Sequence, residues 1–290
     1  MTPVTCPSPD PRSNVSVEVV VAGTLNSDWK MVDDHGKSGP VTLPLLVGVL
    51  HHPAGTVLVD SGMGLTTRNH TYPKFPLNTF DLHVDPGTAM VERLSGPPLR
   101  ILMTHLHYDH IGGLLDFPGV ETWTTTGDWA WSEPTRLGFG PKFLHAVDWR
   151  VVDFGPGHAA RQLGVPAVDV MGDGAIWYLA TPGHTPGAAS VLVRTKTEVY
   201  LFIGDTAWVE EHLHDTRRPI GVSLILDSEQ KELNGSLMWA RALRAQCPDL
   251  KMVPGHEPTW APGLTAPVGA PGPSAAPPAP TPAPTAPSTP

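Results

Sequence analysis

Apolar residues along this chain fall in short runs broken by Gly, Pro, Asp and Ser, the pattern of strands joined by turns. Runs at 15–21, 42–50, 57–60, 99–104, 120–125, 151–154, 165–171 and 175–180 each predict a strand. Two more, 189–195 and 199–203, flank Lys196-Thr197-Glu198 and predict a hairpin, and 251–253 predicts a last short strand. Helical spacing is confined to a few places. Residues 85–94 open with Asp85 and an early Pro86, which suits a helix start. Residues 228–245 put Leu233, Leu237, Ala240 and Leu243 on one face behind Ser228 as a cap, and 127–132 reads as a helical turn. Strands dominate, so the expected architecture is α/β: two packed sheets with helices outside.

Composition limits where that fold lies. Residues 261–290 hold eleven prolines and no charged side chain, so they predict a disordered Pro/Ala/Thr-rich tail. Residues 1–12 predict a flexible leader, which leaves 13–260 as one folded domain. The 290-residue chain carries a formal charge of −9, none of it in the tail. An acidic domain is a poor partner for nucleic acid or an anionic membrane surface. Of the two cysteines, Cys6 lies in the leader and Cys247 in the domain, so no disulfide is expected. The first ten residues lack a basic start followed by an apolar run, and no apolar stretch reaches the roughly 18 residues of a membrane span. The expectation is a cytoplasmic protein.

Four stretches carry candidate chemistry. The first is Thr104-His105-Leu106-His107-Tyr108-Asp109-His110-Ile111-Gly112-Gly113. His105 and His107 are two apart and face one way on extended backbone, so they suit one ion. A turn after them would send Asp109 and His110 to a second. The others are Pro182-Gly183-His184-Thr185-Pro186-Gly187, Gly204-Asp205 and Pro254-Gly255-His256-Glu257, each following an apolar run. Together they supply five imidazoles and two carboxylates, the number a dinuclear site needs. Asp205 is the natural bridge, because a carboxylate has two oxygens. Two dications would lower the pKa of a water between them and make a bridging hydroxide available near neutral pH. The donor set suits zinc foremost, with iron, manganese and cobalt as alternatives.

In combination these stretches, with Leu58-Val59-Asp60-Ser61-Gly62 upstream, resemble the metallo-beta-lactamase superfamily. The resemblance implies an αββα sandwich of two mixed sheets with helices on both outer faces. It implies that His105, His107 and His184 hold one ion and that Asp109, His110 and His256 hold the other. Asp205 would bridge them, and Asp60 would steady the histidine loop. Asp109 would also pass a proton to the leaving group. Tyr108, between ligands, would line the pocket or donate to the substrate.

The acyl-homoserine lactonase branch looks most similar. It often carries Tyr three residues after the bridging Asp, where this chain has Trp208. The implied function is hydrolysis of a small lactone or ester, with a homodimer as the implied assembly. The alternatives are a glutathione-thioester hydrolase, with Lys231, Arg241 and Arg244 available for the glutathione carboxylates; a phosphotriester or aryl-ester hydrolase; and a metal-binding regulatory domain without turnover. Residues 206–227 would form either a lid, with Trp208 and Leu213 against an acyl chain, or an external connection with His212 and His214 solvated. Trp29, Met31, His70, Tyr72 and Phe75 would shape a pocket or close sheet edges. Trp123, Trp129, Trp131 and Trp149 are expected in the core or at a dimer contact.

Overall fold

The computed structural model describes residues 5–68, 81–132, 147–157 and 160–262. The first part of the chain forms β1 (Ser16–Asp28), β2 (Pro40–His52), β3 (Gly55–Val59), α1 (Leu65–Arg68), β4 (Asp81–His83), α2 (Met90–Arg93), β5 (Arg100–Leu102), α3 (Tyr108–Ile111), β6 (Glu121–Thr125), α4 (Thr126–Ser132) and β7 (Asp148–Val152). The second part forms β8 (Ala160–Gln162), β9 (Val165–Asp169), β10 (Ile176–Ala180), β11 (Ala189–Arg194), β12 (Val199–Gly204), α5 (Ile220–Leu226), α6 (Gln230–Gln246) and β13 (Lys251–Pro254). One sheet runs β4-β1-β2-β3-β5-β6-β7, the other β13-β12-β11-β10-β9-β8. Both are mixed: β3, β5, β6 and β7 pair in parallel, as do β12 and β13, and the remaining pairs are antiparallel.

Side-chain alternation sorts the core into three layers. Val57, Val59 and Leu102 of the first sheet meet Tyr178, Val191, Val193 and Phe202 of the second in the middle of the sandwich. The intervening residues point outward. Leu58 and Ile101 pack under Met90, Ile111 and Leu114, while Leu192, Leu201 and Ile203 pack under Leu237, Ala240 and Leu243 of α6. Strands covered on both faces read as unbroken apolar runs, which is how they appear in the sequence. The expected αββα sandwich is present.

Several elements differ from expectation. The strand expected at 15–21 continues to Asp28 through a register shift between Val21 and Thr24. Its polar second half pairs with β2 and β4 at the sheet edge. The helix expected over 85–94 is helical only at Met90–Arg93. Asp85 O instead accepts from Thr88 N (3.1 Å) and Thr88 Oγ1 (2.7 Å), and Gly87 has φ +82°, so the chain turns before it coils. Ser228 does not cap α6, whose N-cap is Glu229. His70, Tyr72, Phe75 and most of the tail lie outside the described residues.

The main correction concerns the leader. Cys6 and Cys247 form a disulfide, 241 residues apart in sequence. Asp10 N also donates to Thr195 O (3.0 Å), and Ser13 Oγ donates to Arg194 O (2.7 Å). The leader is thus tied to the β11–β12 hairpin and to the C-terminal end of α6. A pairing this distant leaves no local pattern, and the leader's prolines gave no sign of an anchor. Closing so long a loop restricts the unfolded chain, an effect of about 2–4 kcal/mol for a typical disulfide. Replacing both cysteines with serine should lower stability to urea by that order. Intact mass under non-reducing conditions should show the parent two hydrogens lighter than its reduced form; identical masses would remove the bridge.

Candidate metal centre

The site lies where strands of both sheets end at one rim. β3 leads to Asp60, β5 to the 105–110 loop, β10 to His184, β12 to Asp205 and β13 to His256. A rigid strand end fixes the direction of the side chain that follows it. At β12 the register against β13 shifts between Phe202 and Gly204, which has φ +48°, so the chain swings Asp205 out of the sheet. Gly255 approaches Asp205 so closely that a Cβ there would collide with Oδ1.

All seven candidate ligands converge. Metal-ligand atoms cluster within 4.8 Å of one another in three groups: His105, His107 and His184; Asp109, His110 and His256; and His105, His110 and Asp205. Asp205 joins the two sides. Its Oδ2 lies 3.3 Å from His184 Nε2 and 3.9 Å from His105 Nε2, while its Oδ1 lies 3.3 Å from both His110 Nε2 and His256 Nε2. Asp109 Oδ2 completes the second side, 3.5 Å from His256 Nε2 and 3.7 Å from His110 Nε2. His107 sits at the N-cap of α3, whose turn carries Asp109 and His110 away from the 105/107 face.

Hydrogen bonds behind the imidazoles fix how they present their nitrogens. His110 Nδ1 donates to Asp60 Oδ2 (2.8 Å), His184 Nδ1 to Asp227 Oδ1 (2.6 Å) and His256 Nδ1 to Pro44 O (3.1 Å). Thr104 Oγ1 gives its proton to Asp60 Oδ2 (2.8 Å), so at 3.1 Å it accepts from His105 Nδ1. In four of the five histidines the proton is thereby drawn to Nδ1, and Nε2 keeps its lone pair toward the centre. Asp60 also accepts from Thr104 N at 2.7 Å, and it holds these contacts from φ +61°, a conformation non-glycine residues rarely adopt. It does steady the histidine loop.

The residues fit a pair of cations on chemical grounds. Nε2 of His105, His107 and His110, and Oδ1 of Asp205, are buried without a hydrogen-bond partner. His107 Nδ1 and His184 Nε2 face each other at 2.8 Å, a contact that needs either a shared proton or a cation between lone pairs. Burial, reinforced by neighbouring imidazoles, holds His105 and His107 well below the usual imidazole range. Both are therefore neutral and ready to ligate. Burial acts the same way on His110 and His256, but nearby carboxylates outweigh it and raise both. Burial opposes ionisation of Asp205, yet the positive charge of His256 and His110 holds its carboxyl well below the ordinary range. These carboxylates and imidazoles balance as charges that a bound cation would replace.

A cleft opens beside the centre. Leu25, Leu43, Leu82, Tyr108, Trp208 and Leu226 form its wall, and His107, Asp109, His184, Asp205 and His256 its floor. Burial pushes the Tyr108 phenol up to about 12, so it stays a hydrogen-bond donor at neutral pH. Trp208 stands edge-on to His256 (5.7 Å between centroids), and its carbonyl accepts from His256 N (2.8 Å). Trp29 and Met31 pack against the same apolar cluster.

Only part of the 206–227 stretch reaches the cleft. Leu213 packs on the α6 side instead. His212 is buried and bonds Val32 O at 2.8 Å, with burial lowering it to about 4, while His214 is exposed beside Glu210. Trp123 is in the core, but Trp131 stands edge-on to His107 at 5.5 Å, next to the centre.

Four supporting residues gave no signal in the sequence: Asp128, Trp131, Arg218 and Asp227. Asp128 is buried at the start of α4 and accepts from Gly187 N (2.8 Å), three residues past His184; burial raises it to about 6. Asp128 meets Gly187 59 residues on, Asp227 meets His184 43 residues back, and Arg218 meets Asp227 nine residues on, none at a spacing that marks a local motif.

Comparison with known proteins agrees with this geometry. The "Metallo-beta-lactamase superfamily" profile matches residues 42–256. N-acyl homoserine lactonase AttM of Agrobacterium fabrum is 24% identical over 279 residues, covering 88% of this chain and 98% of its own. The probable metallo-hydrolase Rv2300c of Mycobacterium tuberculosis is 27% identical over 241 residues, covering 70% and 71%. Among solved structures, an AiiA variant of B. thuringiensis with N-decanoyl-L-homoserine bound at its active site superposes with a TM-score of 0.65 at 18% identity, covering 83% of this chain and 92% of that one. The profile match spans well over half of the chain, and the protein therefore belongs to the metallo-beta-lactamase superfamily, as a metal-dependent hydrolase.

Proposed function

We propose that the protein is a dinuclear lactonase that opens lactones bearing an apolar acyl chain, with N-acyl homoserine lactones as the leading substrate class and quorum quenching as the consequence. The observation that carries this reading is the placement of a leucine- and tryptophan-lined wall directly beside the Asp205-bridged clusters. Likeness to the N-acyl homoserine lactonase AttM and to the AiiA variant with N-decanoyl-L-homoserine bound supports the same class.

His105, His107 and His184 would hold one ion, Asp109, His110 and His256 the other, and Asp205 both, with zinc the leading metal. Bound there, two divalent ions supply Lewis-acid polarisation of the carbonyl and a lowered pKa for the attacking water. Leu25, Leu43, Leu82 and Leu226 exclude bulk water and hold the acyl chain. Asp109 has the most exposed carboxylate of the set, at 17% of its side chain. Its other carboxylate oxygen, Oδ1, can take a proton and deliver it to the leaving alkoxide oxygen as the ring C–O bond breaks. The Tyr108 hydroxyl, protonated at working pH, can donate to a substrate oxygen. Trp208 orients the acyl group through its ring face.

One finding favours this reading over a glutathione thioester. Arg241 binds the carbonyls of His212 (2.9 Å) and Thr216 (2.6 Å), and Arg244 pairs with Glu210 (2.6 Å). Two of the three cations available for glutathione carboxylates are thus engaged within the fold.

Purified protein supplied with metal should contain two ions per chain by elemental analysis. It should turn over long-chain lactones faster than aryl esters, an aryl phosphotriester or a glutathione thioester. Two ions with no turnover on any of these would mark a binding domain instead. Asp205→Ala should lose metal on both sides and with it essentially all activity. Asp109→Asn should lower turnover by about 10²–10⁴, the range of a lost proton-transfer group; unchanged turnover would end its proton role. Trp208→Leu should raise KM for long-chain lactones by about tenfold, in keeping with the 1–3 kcal/mol that small changes in apolar contact control. It should change KM for short-chain lactones little; an equal effect at all chain lengths would place Trp208 outside the acyl site.

A further inference from the structure

We propose that Arg218 and Asp227 are positioning residues that lock the two sides of the metal centre in register. The inference rests on the reading of His184 and Asp205 as ligands. Asp227 Oδ1 accepts from His184 Nδ1 at 2.6 Å and from Arg218 at 2.7 Å. Its Oδ2 accepts from Arg218 Nε at 3.2 Å and from the Ser223 hydroxyl. The same guanidinium donates through its other terminal nitrogen to the carbonyl oxygen of Asp205 at 3.0 Å, and it lies 5.0 Å from the centroid of the Trp208 ring. One planar cation therefore touches the carboxylate behind His184, the backbone of the bridging residue and an aromatic wall of the cleft.

Burial makes this contact consequential. The side chains of Arg218 and Asp227 are 4% and 0% exposed. A pair so enclosed is costly to desolvate and is weak evidence for stability alone. A gain for the fold would be served as well by apolar residues, so its donors call for another explanation. They meet the needs of ligand geometry. A carboxylate behind an imidazole fixes its tautomer and raises its basicity as a ligand. Arg218 in turn meets both oxygens of that carboxylate. Arginine is suited because its fork can serve the Asp227 carboxylate and the Asp205 carbonyl at once, which a lysine ammonium does less well. The backbone adds to the clamp, since Ser228 N donates to His184 O and Glu229 N to Gly183 O, both at 3.0 Å, directly after Asp227.

The test is metal affinity, measured by chelator competition on the full-length protein, alongside the melting temperature of the metal-free form. Asp227→Asn should weaken the ion on the His184 side by about 10–100-fold, the usual effect of losing a partner behind a ligand, and Arg218→Met, which also frees the Asp205 carbonyl, should weaken both ions. Arg218→Lys should recover only part of the loss. Arg217→Gln, whose native side chain reaches Asp34 at the surface, should match the parent. If Arg218→Met fails to fold, the nearly isosteric Asp227→Asn carries the test. Variants that melt lower yet bind both ions as tightly as the parent would reduce the pair to a fold strut and overturn the inference. A parent that binds fewer than two ions would instead overturn the dinuclear reading, and this inference with it.

Discussion

Five imidazoles and two carboxylates are gathered into a space where water does not compensate them. Their lone pairs point at one another across distances of 2.8–3.9 Å. A buried polar atom left unsatisfied costs about 1–3 kcal/mol, and here His105 Nε2, His110 Nε2 and Asp205 Oδ1 stand in that position. Among themselves the groups can share protons but cannot all be satisfied. Cations remove the conflict by accepting every lone pair at once. Much of the surrounding structure serves to hold that conflict in place.

The two sheets divide this task. The first sheet delivers the 105–110 loop, and Asp60 reaches across from the neighbouring strand to bind Thr104 and His110. The second delivers His184, Asp205 and His256 from strands that run in the same direction. Because the sheets are stacked through a close-packed apolar middle, a shift of one against the other would separate the ligands. α6 adds a third restraint. Gly183, at φ +134°, lets the His184 loop press against the helix where a Cβ would strike the backbone of Leu233, and Ser236 Oγ donates to Pro182 O at 2.7 Å.

What was legible in the sequence follows from how locally each feature is encoded. The ligand stretches were readable because each pairs a strand end with an unusual string, such as three histidines and an aspartate within six residues. The sandwich was readable because strands buried on both faces are apolar throughout. The second half of β1 escaped notice because edge pairing needs no apolar pattern. α5 escaped because its exposed Ile220, Leu224 and Ile225 are as apolar as its buried Val222 and Leu226, so no contrast between polar and apolar positions marks the helix. The Cys6–Cys247 bridge and the Arg218–Asp227 pair escaped for a different reason. Each is a relation between positions whose chemistry is fixed only once the chain has folded.

The cleft's composition and the acidic chain constrain the substrate together. Among the described residues that line the cleft there is no Lys or Arg, and Arg218, beside Trp208, is committed to Asp227 and Asp205. Under the proposed function, binding energy comes from apolar contact along the leucines and Trp208, and orientation from the metal side. A neutral molecule with a reactive carbonyl at one end and an alkyl chain at the other meets both demands. A thioester tethered to an anionic carrier gains little from this wall, because its charges would face an acidic protein rather than the solvent they leave. The same reasoning gives Arg218 a double importance. Its face packs beside the wall at Trp208 while its edge meets Asp227 and the Asp205 carbonyl, so wall and centre share one rigid group.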